Sequence, residues 1–255
     1  MAVFIVDLQK DNIKQSISRA MHCAGRLEII PGQEIIIKPN LMSAIWDKIY
    51  TNLDILKAVC EYFQENYETN KIVIVETDTL VGDAEDVFES LELTNFTNTM
   101  GIELLNAVHD SRVEINDPRL FNKKFYLSER VMKGARVNLC LMKPYNSVSR
   151  YLKRVGMSCA LKNFFGLIAE KNKYKYHGAS DSNLPKIIID VNRTIPPAVI
   201  LAEHGNKLLC STNPVELDAI AAKLSGINPL KIEYLNMAKQ LGLGENNPEK
   251  IEVCI

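Results

Sequence analysis

The chain has 255 residues, 47% of them apolar, and a formal net charge of −1. That length suits one large α/β unit, and that apolar share is enough for a sizeable core, which excludes a disordered chain. The near-neutral charge argues against a dedicated nucleic-acid binder and against a polybasic membrane anchor.

The average conceals a local imbalance. From Glu76 to Glu92 every charged residue is acidic, whereas from Lys143 to Lys175 Glu170 alone interrupts a run of lysines and arginines. The six cysteines include no pair at CxxC spacing, so no zinc knuckle or ferredoxin-type cluster is encoded locally, and buried, inert thiols are expected. The opening MAVFIVDLQK has no basic segment and too short an apolar run for a signal peptide. No run approaches the length needed to cross a bilayer. A soluble, cytoplasmic protein is expected.

In chain order, residues 2–8 form a continuous apolar run, the mark of a strand covered on both faces. Asp11 is placed to cap a helix running to about Arg26. Pro31-Gly32 turns the chain into a second buried strand, QEIIIKPNLM, which Lys38-Pro39 is expected to end, leaving Asn40 in the loop at its C-terminal edge. Thr51 is read as the cap of the next helix. A third strand, KIVIVETDT, carries Glu76 and Asp78 at its end, and the acidic stretch that follows reads as a loop and a helix. GIELLNA, KKFYLSE and Ala135–Met142 are further strands, the last ending in Lys143-Pro144 as the second ended in Lys38-Pro39.

Residues 158–168 read as a helix with Leu161, Phe164, Phe165 and Ile168 on its buried stripe. Leu184–Thr194 is another, with Pro185 in its first turn. AVILAE and KLLCS form a hairpin through His204-Gly205-Asn206, Asn213-Pro214 opens a helix to Leu224, a last helix covers about 230–241, and IEVCI closes the chain as a strand. The fold class is α/β: a mostly parallel sheet with helices on both faces. The whole chain, 1–255, is read as one domain, with 107–135 and 145–180 as candidate insertions flanking a cleft.

Ligands of open parallel sheets bind at the strands' C-terminal edge. Lys38, Asn40 and Lys143 fall there, and an ammonium or amide at a dry edge can hold phosphate or carboxylate. Lys162 and Asn163 sit beside the Phe164-Phe165 stripe, where a partly desolvated lysine is suited to base or Schiff-base roles; Ser158, Lys162 and Gly166 share a helix face at four-residue spacing, and Gly166 permits close approach. Glu76 and Asp78 without a nearby histidine read as a solvated acidic loop rather than a cation site. His177 and Asp218 are candidates for moving protons. No dinucleotide, P-loop, zincin or α/β-hydrolase motif occurs.

The ordered strings IIIKPNLM, LCLMKP, SCALKNFFGLI, His177 and STNPVELDAIAAKLSGI resemble the widespread prokaryotic family known as domain of unknown function 362. Lys38, Asn40, Lys143, Lys162, Asn163, Gly166, His177 and Asp218 match its pattern. The resemblance implies an α/β protein. Many members carry a ferredoxin-like, cysteine-rich segment that suggests iron–sulfur chemistry; this sequence lacks it, and no cofactor is assigned. Glu203-His204-Gly205 stands where members tend to have Asp-Gly and a glycine-rich loop. The stretch YNSVSRYLKRVG lacks the histidine that members often have there.

Three functions compete. The first is an enzyme that binds an anionic small molecule: Lys38, Lys143 and Lys162 hold the anion, Asn40 and Asn163 orient it, and His177 or Asp218 moves protons. The second is a non-catalytic binding or scaffold protein, a relative without the iron–sulfur module. The third, a nucleic-acid binder using the basic stretch and its tyrosines, is disfavoured by the overall charge.

Overall fold

The runs Ile35–Pro39 and Ile72–Glu76 are buried along their whole length, and such strands must be covered on both sides. The computed structural model describes residues 2–8, 12–45, 49–80, 82–122, 124–145, 155–176 and 183–255. It contains an eight-stranded sheet made of β1 (Ala2–Asp7), β2 (Ile35–Pro39), β3 (Ile72–Glu76), β4 (Glu103–Asn106), β7 (Ala135–Leu141), β10 (Val199–His204), β11 (Lys207–Ser211) and β12 (Glu252–Cys254). The spatial order is β12-β1-β11-β10-β7-β2-β3-β4. Within this sheet β11 alone runs against the others, so β10, β7, β2, β3 and β4 end on one common edge.

Side chains alternate between two apolar layers, as the strand period requires. Ile35, Ile37, Ile72 and Ile74 enter one layer; Ile36, Val73 and Val75 enter the other. The first layer is closed by α1 (Ile13–Ala24), α2 (Leu53–Asn66), α3 (Ala84–Ser90) and α4 (Leu93–Met100). The second is closed by α6 (Ala160–Phe165), α7 (Leu184–Thr194), α8 (Pro214–Leu224) and α9 (Glu233–Gln240). A short α5 (Glu129–Lys133) leads into β7. Beside the main sheet, β5 (Arg112–Ile115) and β6 (Phe125–Ser128) pair antiparallel, as do β8 (Lys143–Pro144) and β9 (Met157–Ser158). Among the described residues no helix is long and apolar enough to cross a membrane.

The α/β class and the mostly parallel sheet are as the sequence implies. Local details differ, each for a physical reason. The cap of α2 is Asn52, whose side chain accepts from the Asp54 N–H, while Thr51 is fully buried and its hydroxyl takes the Asn40 N–H and donates to the Leu139 carbonyl. Pro39 stays within β2, since a missing N–H does not prevent its pairing with Leu139. The helix expected over 158–168 is shorter, because Met157 and Ser158 pair with Pro144 and Lys143 instead. The first helix is capped by Asn12; Asp11 lies outside the described residues. Gly205 provides the positive φ, 61°, on which the β10–β11 hairpin turns.

Candidate functional site

The ends of β2 and β3 bring a lysine and a carboxylate together. Lys38 is 3% exposed, and its Nζ donates to Glu76 Oε2 at 2.9 Å and to the Pro39 carbonyl at 2.6 Å. Glu76 also accepts the N–H of Thr77 at 3.1 Å and of Leu41 at 3.4 Å. A buried ion pair persists only where hydrogen bonds replace the lost water, and this one is so equipped. Gly166 lies against it: a Cβ there would stand 3.2 Å from Lys38 Cε and 3.0 Å from the Asn163 carbonyl. The absent side chain therefore makes room for a lysine of the same protein.

One wall is α6. Asn163 is buried on it and donates to the Lys38 carbonyl at 3.0 Å and to Asn138 Oδ1 at 2.9 Å. Asn138, the lone polar residue in the buried centre of β7, returns a hydrogen bond to the Ala160 carbonyl at 2.8 Å. Helix, β2 and β7 are thus joined by two amides. At the start of α6 the N–H groups of Ala160 and Leu161 donate to the two oxygens of Asp218, at 2.7 and 3.2 Å. Asp218 is fully buried on α8, and that burial pushes its carboxyl up to about 7 against the lowering effect of those two donors. Cys140 and Cys159 lie beside it with their sulfurs 3.8 Å apart, both thiols raised and inert, as expected of buried cysteines.

Two further lysines complete the lining. The Lys162 ammonium stands 5.3 Å from the centre of the Tyr145 ring. Burial raises the Tyr145 phenol, but Lys162, Ser158 and Lys143 outweigh it and leave the group below its ordinary value. Lys173 is 6% exposed, and its Nζ donates to Thr77 Oγ1 at 2.6 Å and to the Asp78 carbonyl at 2.8 Å. Burial lowers it to about 8; Lys38 adds to the lowering, while Glu76 and Asp78 oppose it.

Lys38, Glu76, Thr77, Lys162, Gly166 and Lys173 are among the residues lining a cavity of about 190 Å³ at the common strand edge. Of the sequence-predicted residues, Lys38, Asn40, Lys162, Asn163 and Gly166 line it, as does Ser158. Lys143 does not; its Nζ donates to the Ile49 carbonyl at 3.2 Å. Asp218 does not either, being sealed behind α6. His177 lies outside the described residues. Glu76 and Asp78 are no solvated loop: both are buried, and Asp78 accepts the N–H of Ala84 and the Asn106 amide.

The main omission in the sequence reading is Lys173. In KNKYKYHG every second residue from Lys171 to Lys175 is a lysine, and nothing local marks the middle one as buried. Asn138 did carry a signal, since a single amide in the strand ARVNLCL must find a buried partner.

A family model described as Domain of unknown function (DUF362) matches residues 35–223, well over half of the chain. No curated protein and no solved structure matches it.

Proposed function

The chain belongs to the DUF362 family, and on that premise we propose that it binds a small anion, a phosphate or a carboxylate, in the cavity at the C-terminal edge of β2 and β3. One observation carries the reading: among the described residues that line this small hollow, three are lysines, Lys38, Lys162 and Lys173, and one is a carboxylate, Glu76. Ammonium groups thus outnumber carboxylates in the described lining, which favours an anion in a partly buried place, where a charge-assisted hydrogen bond is strong. Lys162 and Lys173 are the ammonium groups assigned to the anion. Lys38 contributes through its ion pair, Asn40 orients the ligand from the loop after β2, and Asn163 braces the wall.

Calorimetric titration with inorganic phosphate and with acetate tests this. Each charge-assisted hydrogen bond contributes roughly 1.5–3 kcal/mol, so Lys162→Ala is expected to weaken binding about tenfold or more. Affinity is expected to fall as pH rises through about 8, where Lys173 loses its proton. Absence of binding by both anions, or binding indifferent to Lys162→Ala, counts against the reading.

A non-catalytic binding protein is the second reading. Its support is that Asp218 sits behind the wall and that Glu76, the one carboxylate among the described lining residues, is committed to Lys38. The two readings separate on whether a lining group can react.

A further inference from the structure

We propose that the ligand of this cavity is an amphipathic acid, whose charged head sits in the lysine-lined hollow and whose apolar tail leaves it to lie on Ile45, Leu80 and Tyr174, an inference that rests on the anion-binding reading above. Three loops border the hollow. Each gives it a lining residue, Met42, Thr79 or Lys173, and each carries a large apolar side chain just beyond. Leu80 follows Thr79 directly and Tyr174 follows Lys173, while Ile45 closes the turn that Met42 opens, its N–H donating to the Met42 carbonyl at 3.4 Å. Ile45 is 41% exposed, Leu80 58% and Tyr174 68%.

The three loops also touch one another. Ile45 lies so close to Gly82 that a Cβ there would collide with its Cδ1, and the Gly82 carbonyl accepts the N–H of Thr79 in the turn that carries Leu80. Residues 171–174 lie against the same turn, since Lys171 pairs with Asp83 and Lys173 donates to the Asp78 carbonyl at 2.8 Å. Single exposed apolar side chains are ordinary on a protein surface, whereas a shared patch of them beside a concave site marks a place that a ligand or partner covers. The charged neighbours of this patch are paired within the rim, Lys171 with Asp83 and Lys175 with Glu170.

The size of the hollow divides head from tail. At ~30 Å³ per water the 190 Å³ hollow has room for about six waters, enough for a carboxylate head and about three carbons. A longer chain has to leave it. Met42 and Phe165 give the lining an apolar side along which such a chain can run, and beyond Met42 the apolar surface continues with Ile45. An inorganic anion uses the cationic lining alone, and a neutral hydrocarbon uses the rim alone. A ligand that joins the two chemistries uses both surfaces at once, with the head drawn to Lys162 and the tail covering the rim.

The test is calorimetry of the full chain with acetate, butyrate, hexanoate and octanoate, and with methyl, butyl and hexyl phosphate. In the series whose head binds, affinity is expected to rise about two- to fourfold for each methylene laid on the rim, the factor that burying one carries. Leu80→Gln, a change on an exposed turn, should match the unaltered chain for the shortest member and fall roughly threefold or more behind for the longest, with Tyr174→Ser as the second variant. A rising series indifferent to both variants overturns the placing of the tail. Flat affinity along both series overturns the tail itself and leaves the anion reading standing. Hexanol binding as tightly as hexanoate and hexyl phosphate removes the head, and the anion reading with it, as does the failure of every member to bind. Cosedimentation with phosphatidylglycerol vesicles by a chain that ignores hexanoate and hexyl phosphate gives the rim to a lipid surface and overturns the small-ligand inference.

Discussion

Replacing Glu76 by glutamine keeps the shape of the side chain and removes the charge that answers Lys38. Unit charges at the observed 2.9 Å attract by about 6 kcal/mol at an effective dielectric of about 20, before desolvation is subtracted. Breaking a buried pair by removing one partner costs about 3–5 kcal/mol, because the survivor is left uncompensated. The expected cost is therefore 3–5 kcal/mol near pH 7, by the same buried-pair precedent. Urea unfolding of both chains near neutral pH measures this directly. A cost below about 1 kcal/mol, the range of an exposed pair, would refute the claim that Lys38 and Glu76 form a dry, mutually dependent pair.

Gly166→Ala forces a methyl group to within 3.2 Å of Lys38 Cε and 3.0 Å of the Asn163 carbonyl, so it is expected to destabilise by about 1–3 kcal/mol, seen as a lower urea midpoint at unchanged slope. Asp218 is raised to about 7 in the folded chain, so its contribution is fully present below the unfolded carboxyl value and is lost as pH climbs through about 7. Asp218→Asn should flatten that fall, and its deficit relative to the unaltered chain should be largest in acid and smaller above pH 7; a constant gap in urea midpoints across that window would contradict the assignment.

The core of the sheet was legible because IIIK, IVIV and RVNLCL are too uniformly apolar to sit anywhere but between two helical layers. Half of the cavity was legible for a related reason: Lys38-Pro39-Asn40 and Lys162-Asn163 set polar groups against buried surface at the edge where parallel strands end. What escaped was set by pairing across the sequence. Glu76 is acidic in an acidic stretch, and only Lys38, thirty-eight residues earlier in the chain, makes it a core residue. Thr51 had the right chemistry for a cap, but Asn52 took that place and left the threonine to tie two loops together. Lys143 follows the same strand-lysine-proline grammar as Lys38, yet it pairs with Ser158 in a side hairpin, which carries it away from the cavity.

The paired amides of Asn138 and Asn163 have a consequence for how such a protein can change over time. They rivet two strands and a helix into one unit around half of the hollow, so a newcomer entering there has little ordering to induce and meets a template already set. Diversification of what the hollow accepts then falls to the residues carried on neighbouring loops, Met42, Thr79 and Lys173, which can be exchanged while the riveted half keeps its shape.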